Sequence, residues 1–352
     1  MMEYRKLLEY VGDLGQVFGV RAGTLTEGPA RGMRTLDVDN GAGLRFTVLP
    51  DRCLDLASVS FKGVNCSYFS KTGMVAPAYN ATGDNFFRVF TAGAMTTCGL
   101  RNVGNPSEEG GESFGIHGRI GSLPAGDVGA WVEIEGGTPV AKIRGTVREA
   151  AFFGENLRLT RTITCRFGEN VIHISNEIEN LGFRDETMMV LMHCNVGWPL
   201  LDAGTRFMAP SLKVIPRDAD AEKGVDSWSE MHGPVAGYAE QVFYHDLASD
   251  EEGNVTVAYV NRGIGIGEAI TFNRKEFPVF TQWKQMGQGE YVAAMEPGNC
   301  FVGGRKDPRN EGRLTVLRPM EKRSYDLVFS FHCGDKELDE LEHIINKPFK
   351  KC

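Results

Sequence analysis

No run of Lys or Arg in the sequence exceeds two residues, and the formal net charge is −8. That lacks the concentrated positive charge a nucleic-acid phosphate backbone requires, so nucleic acid is not an expected partner. No stretch of 18 apolar residues occurs, so no membrane-spanning helix is expected. The eight cysteines form no C-x-x-C pair and no short regular spacing, so neither a zinc ribbon nor a disulfide framework is indicated. Reduced thiols in a cytoplasmic protein are the simplest account. Charges also interrupt the N-terminal "MMEYRKLLEYVGDLGQ" where a signal peptide would be apolar.

Helical periodicity is scarce and glycine is abundant, with 43 spread over 352 residues, which favours many turns and many strands. "TLDVDNGAGLRFTVL" sets a Gly-rich turn between two alternating runs, and "LASVSFKGVNCSYF" bends at Lys62-Gly63. The Gly-Glu-Asn turn recurs at Gly154 and Gly168 in a long alternating region that reads as an antiparallel meander. "GRLTVL" and "RSYDLVFSF" bracket a turn at Pro319 and read as a final hairpin. Helices are expected only at the ends, over residues 2–10 and 335–347. The second carries Asp335 as its N-cap and a buried stripe of Leu338, Leu341, Ile344 and Ile345. The fold class is therefore all-β: one large antiparallel β-sandwich over residues 1–352 with short terminal helices.

Three segments draw attention for chemistry. His117, in the broken stretch "FGIHGRIGSLPAG", has glycine neighbours that permit a sharp turn or close approach of a ligand. In "ETMMVLMHCNVGWPLLD" alternation puts Thr187, Met189, Leu191 and His193 on one face, with His193 closing a mostly apolar strand; a buried histidine bonded to backbone fits equally well. "EYVAAMEPGNC" delivers Glu296 from a face otherwise made of Val292 and Ala294. Partial burial there would raise its pKa toward the range of a general base, although half of a salt bridge is the alternative. His173, His232 and His343 read as surface residues, while His245 and His332 lack a partner signal. Arg52, Arg101, Arg119 and Lys284 fall at strand ends or turns beside these segments. Trp283 is placed to stack on a sugar ring, though a core tryptophan is commoner. No metal site and no cofactor is indicated.

Taken together, "LPDRCLDL", "TCGLRNVG", "GIHGRI", "HCNVGWPLLD", "QWK" and "MEPGNC" resemble the aldose 1-epimerase (galactose mutarotase) superfamily over nearly the whole chain, and most of all a branch of it known as a domain of unknown function. The resemblance implies a galactose mutarotase-like supersandwich and a small-molecule carbohydrate as ligand, with a homodimer as an open option. It implies Glu296 as base, His193 as acid and His117 as the donor that steadies a sugar oxygen, on opposite sides of the hemiacetal. Asn195, Arg52, Arg101, Arg119, Trp283 and Lys284 become the expected substrate contacts, and Asp246 a guess for the family's sugar-binding aspartate. The chain departs from the family pattern in having His117-Gly118-Arg119 for HGG and a shortened His193-Cys194-Asn195. The cations among the matched segments point to an anionic sugar such as a uronate, sulfonate or phosphate. The implied activity is anomer exchange of a free sugar or sugar acid. Its alternatives are a non-catalytic carbohydrate-binding protein and an isomerase or epimerase acting at another carbon, with His117, His193 and Glu296 as a His₂-carboxylate metal site.

Overall fold

Along Asn156–Arg166 every second side chain is buried, because a strand turns alternate residues to opposite faces. "LRLTRTITC" places Leu157, Leu159, Ile163 and Cys165 on the inner one. This strand pairs antiparallel with Thr138–Ala150 on one side and Val171–Asn180 on the other, closing the meander read from the repeated Gly-Glu-Asn turn. The computed structural model describes residues 4–77 and 86–347. Within them, the meander belongs to a nine-stranded sheet that continues through Leu327–Cys333, Ile266–Asn273 and Asn254–Asn261.

A second, twelve-stranded sheet runs from Gly19–Thr24 through Arg34–Asp39, Leu44–Leu49, Asp55–Phe61 and Met95–Leu100 to Glu186–Gly197. It then continues through Glu290–Gly298, Val279–Gly287, Gln241–Leu247 and Ser211–Pro216. The two inner faces share one core, with Leu36, Val38 and Phe46 of the larger sheet packed in the same cluster as Ile143, Leu159, Ile174 and Phe329 of the smaller. The expected antiparallel β-sandwich is thus the architecture. Lys62 and Gly63 both adopt positive φ at the bend between Asp55–Phe61 and Val64–Asn65, as the sequence anticipates. No helix among the described residues is long and apolar enough to cross a membrane.

Four local expectations need correction. Thr315–Leu317 and Lys322–Ser324 do not form a hairpin: the first pairs with Glu186–Met188 of the larger sheet and the second with Glu177–Glu179 of the smaller. The Pro319 turn hands the chain from one sheet to the other, because each short strand finds a longer partner to its side. The C-terminal helix spans Asp335–Asn346, with Gly334 rather than Asp335 at its N-cap. Leu338, Leu341 and Ile345 are buried, whereas Ile344 is 52% exposed because the seven-residue stripe leaves it on the outer flank. At the other end the helix shortens to Tyr4–Leu7, and residues 1–3 lie outside the described part.

A buried ion pair sits in the shared core. Arg161 is fully buried, and its guanidinium reaches Asp55 at 2.6 Å, the Cys53 carbonyl at 2.9 Å and Asn176 at 2.7 Å. It thereby ties the smaller sheet to the larger one. Asp55→Ala would leave that guanidinium uncompensated, with an expected loss of about 3–5 kcal/mol. A urea midpoint close to that of the wild type would show that the pair does not hold the sheets together.

Candidate functional site

The Glu186–Gly197 strand is buried on both faces. Met188, Val190, Met192 and Cys194 point into the core between the sheets, while Met189 and Leu191 pack on the opposite side in a separate cluster with Val242, Val302 and Trp283. His193 follows Met189 and Leu191 in the alternation, so it opens on the outer face of the larger sheet. It stands inside its strand, four residues before the end, and not at the terminus as expected.

The neighbouring Glu290–Gly298 strand keeps the same division: Tyr291, Ala293 and Met295 face the core, and Val292 and Glu296 line an outer cavity. With Cys194 opposite Met295, the antiparallel register sets His193 beside Glu296, and His193 Nε2 lies 3.2 Å from Glu296 Oε1. One strand further on, Trp283 sits opposite Ala294 and brings its ring centroid to 5.4 Å from that of His193.

His117 arrives from a loop. Its backbone accepts from Gly99 N–H and donates to the Gly104 carbonyl, and Arg119 N–H donates to the Gly99 carbonyl, so the segment is laced against the end of Met95–Leu100. Gly118 has φ +71°, and a Cβ there would lie 2.2 Å from the Gly99 carbonyl oxygen. No other residue fits that approach, which accounts for the glycine behind the histidine. The His117 ring accepts from Gly104 N–H at Nδ1 over 3.3 Å, so in the neutral ring Nε2 carries the hydrogen. Its centroid lies 5.8 Å from that of His193, and Phe86 and Phe90 stack on each other against the two imidazoles.

The family model described as Domain of unknown function (DUF4432) matches residues 30–331. The chain belongs to the DUF4432 family. Among solved structures, this DUF4432 chain is similar to a putative aldose 1-epimerase from Klebsiella pneumoniae subsp. pneumoniae MGH 78578. Identity is 25% and the TM-score 0.88, over 94% of this chain and 88% of the other. A galactose mutarotase-like protein from Clostridium acetobutylicum matches at 12% identity and TM-score 0.63, covering 91% of this chain and all of its own. Galactose 1-epimerase from Lactobacillus acidophilus NCFM matches at 14% and 0.57, over 90% of this chain and all of its own. The fold of the DUF4432 chain is therefore the galactose mutarotase-like β-sandwich. No curated protein matches its sequence.

The cavity of this DUF4432 protein has a volume of about 370 Å³, within the range of small-molecule pockets. His117, His193, Glu296 and Trp283 all line it, so four of the expected residues converge. The other five do not. Lys284 follows Trp283 directly and so turns to the opposite face, where its ammonium donates to the carbonyls of Ser227 and Glu230. Arg101 is engaged by Glu112 and Glu155 and lies over the Phe114 ring. Arg52 is buried and donates to the carbonyls of Val75 and Val89, and Arg119 is exposed. Asn195 is fully buried behind the cavity wall, with its Nδ2 donating to the His193 carbonyl. Asp246 pairs with Arg274 away from the cavity, and the adjacent His245 is held by Ser211 and Gln282.

Four charged residues that sequence reasoning missed line the described wall of the cavity: Lys71, Arg217, Glu240 and Glu290. Glu240 accepts from Trp283 Nε1 and from Arg217 Nη2, each at 2.8 Å, and Arg217 also donates to Asp218. The signal for Glu240 lay in the alternation of "EQVFYHDL", where Glu240, Val242 and Tyr244 share a face. The Pro/Gly-broken region before it hid that run. The other cation of the described wall, Lys71, pairs with Glu290 at 2.5 Å. Among the described residues no group of three or more His, Cys, Asp or Glu side chains is gathered to hold a metal ion.

Burial pushes the Glu296 carboxyl up to about 8, with the Glu240 charge adding and Arg217 opposing. Burial likewise pushes His193 down to about 4, and burial together with His193 lowers His117. At neutral pH the acid and the imidazole that touch are thus both uncharged. An unfolded glutamate titrates near ~4.3. The folded state therefore keeps a proton that the unfolded chain has released. Its stabilising effect is complete below that value and gone once the pH has risen through about 8. Glu296→Gln has no such dependence, so its Tm advantage over the wild type should widen from about pH 5 to about pH 9. A constant difference would count against a raised carboxyl.

Proposed function

We propose that the protein is an enzyme that exchanges the anomers of a free, neutral sugar by acid/base ring opening. The observation that carries this reading is the contact of His193 with Glu296 at 3.2 Å on one cavity wall, with the His117 ring 5.8 Å from that of His193. Anomer exchange requires a proton to leave the C1 hydroxyl while one reaches the ring oxygen. The hemiacetal then opens, the carbonyl rotates and closure occurs on either face. The carboxyl–imidazole pair handles the two protons, and the Nε2–H of His117 steadies a sugar oxygen as charge shifts. The acid and base stand side by side because adjacent strands carry them at neighbouring positions. The similarity to the Klebsiella protein supports the same reading.

A neutral sugar is favoured over an anionic one. The four cations first associated with an acidic group do not line the cavity, and the two that do among the described residues, Arg217 and Lys71, are each matched by a carboxylate. Glu240 and Arg217 offer a fixed acceptor and donor to sugar hydroxyls, and Trp283 offers its ring face.

Polarimetry or NMR exchange spectroscopy across a panel of free sugars tests the activity. Glu296→Gln should lower turnover by roughly 10²- to 10⁴-fold. Sugar binding without exchange above the spontaneous rate would make the protein a carbohydrate-binding module instead. In thermal-shift titrations neutral hexoses should protect the protein more than their uronate counterparts. The reverse order would restore the anionic substrate.

A further inference from the structure

On the His193 strand two buried polar atoms lack a hydrogen-bond partner: Nδ1 of His193 and Oδ1 of Asn195. The residues are two apart on one strand, so their side chains leave the same face. Both are inaccessible, at 5% and 0% exposure, so no bulk water serves them. The amide is anchored at its other end, since Nδ2 donates to the His193 carbonyl at 3.0 Å. Its free end is therefore the oxygen, an acceptor only. The Asn195 side chain acts on the His193 ring, and an acceptor oxygen favours that neutral ring only when the hydrogen sits on Nδ1.

That assignment fixes the opposite edge of the ring. A neutral imidazole with Nδ1–H presents a lone pair at Nε2, the atom 3.2 Å from Glu296 Oε1. Two lone pairs at that distance repel, so the contact closes only with a proton on the carboxyl. We propose that Asn195 is a positioning residue that holds His193 in the Nδ1–H tautomer, so that the resting site keeps its transferable proton on Glu296 and uses His193 Nε2 as the acceptor. The shifts of the two groups agree: burial favours the neutral carboxyl and the neutral imidazole, and the Asn195 side chain acts on the ring. The ionisable groups nearest His193 are Glu296, His117 and, farther off, Glu240.

For catalysis this rests on the anomer-exchange reading, and it exchanges the two roles that the family resemblance implies. Glu296 gives its proton to the ring oxygen as the C1–O5 bond breaks, and His193 Nε2 takes the proton of the C1 hydroxyl as C1=O forms. Ring closure on the other face reverses both transfers, so no proton is consumed. Asn195 touches neither sugar oxygen and acts through His193.

The test begins on the intact wild-type chain without any sugar. Long-range ¹H–¹⁵N correlation of histidine-labelled protein at neutral pH, with the signal assigned by its loss in His193→Gln, should show the Nδ1–H tautomer. Infrared difference between wild type and Glu296→Gln should show a neutral carboxylic-acid carbonyl band. An Nε2–H tautomer, or an ionised Glu296 at neutral pH, overturns the proposal. Asn195→Leu should release the tautomer and lower kcat about 10- to 100-fold with little change in KM, as for other outer partners that orient a ring. Asn195→Asp, placing a carboxylate by Nδ1–H, should move the acid limb of the kcat profile to higher pH. An unmoved limb in a folded Asn195→Asp variant also counts against the proposal. If the tautomer and the neutral acid are found but no sugar shows accelerated exchange, the anomer reading fails while the proton assignment stands.

Discussion

The site depends on one constraint, the antiparallel register between Glu186–Gly197 and Glu290–Gly298 with Cys194 opposite Met295. Alternation divides each strand's side chains between the shared core and the outer cavity, and the register brings His193 and Glu296 together on the cavity side. A slip of one residue in either strand would turn that strand's His193 or Glu296 into the core and bring Cys194 or Met295 to the cavity side. The apolar packing on the inner face therefore fixes the chemistry on the outer one. The Arg161–Asp55 pair and the Pro319 turn, which each join the two sheets, secure that packing from either end.

Much of this was legible in the sequence because alternation is a short-range signal. The inward and outward sets around His193 and Glu296 follow from every second residue of "ETMMVLMH" and "EYVAAME", and the turns at Lys62-Gly63 and Gly154 mark where strands reverse. The glycine after His117 announced a close approach, and the structure supplies its partner in the Gly99 carbonyl. The family resemblance then joined three segments that no local pattern connects.

What stayed hidden depends on partners far away in the chain. Arg101 looked free until Glu112, Glu155 and Phe114 were brought to it, and Arg52 until Val75 and Val89 were. Trp283 and Lys284 were both assigned to the ligand although neighbours on a strand cannot share a face, a conflict the period of two should have removed. Glu240 and Arg217 escaped notice because a strand edge after an irregular segment carries little periodicity. The same lack of local signal made the Pro319 turn look like a hairpin, when its two arms belong to different sheets.

The pairing of charges on the cavity wall also bears on how a ligand arrives. Arg217 with Glu240 and Lys71 with Glu290 offer local dipoles in place of a field of one sign. Dipoles of that size fade within a few ångströms and draw nothing in from a distance. Under the neutral-sugar proposal, capture would proceed at the unsteered diffusional pace, and occupancy of the cavity would stay nearly constant as salt is added.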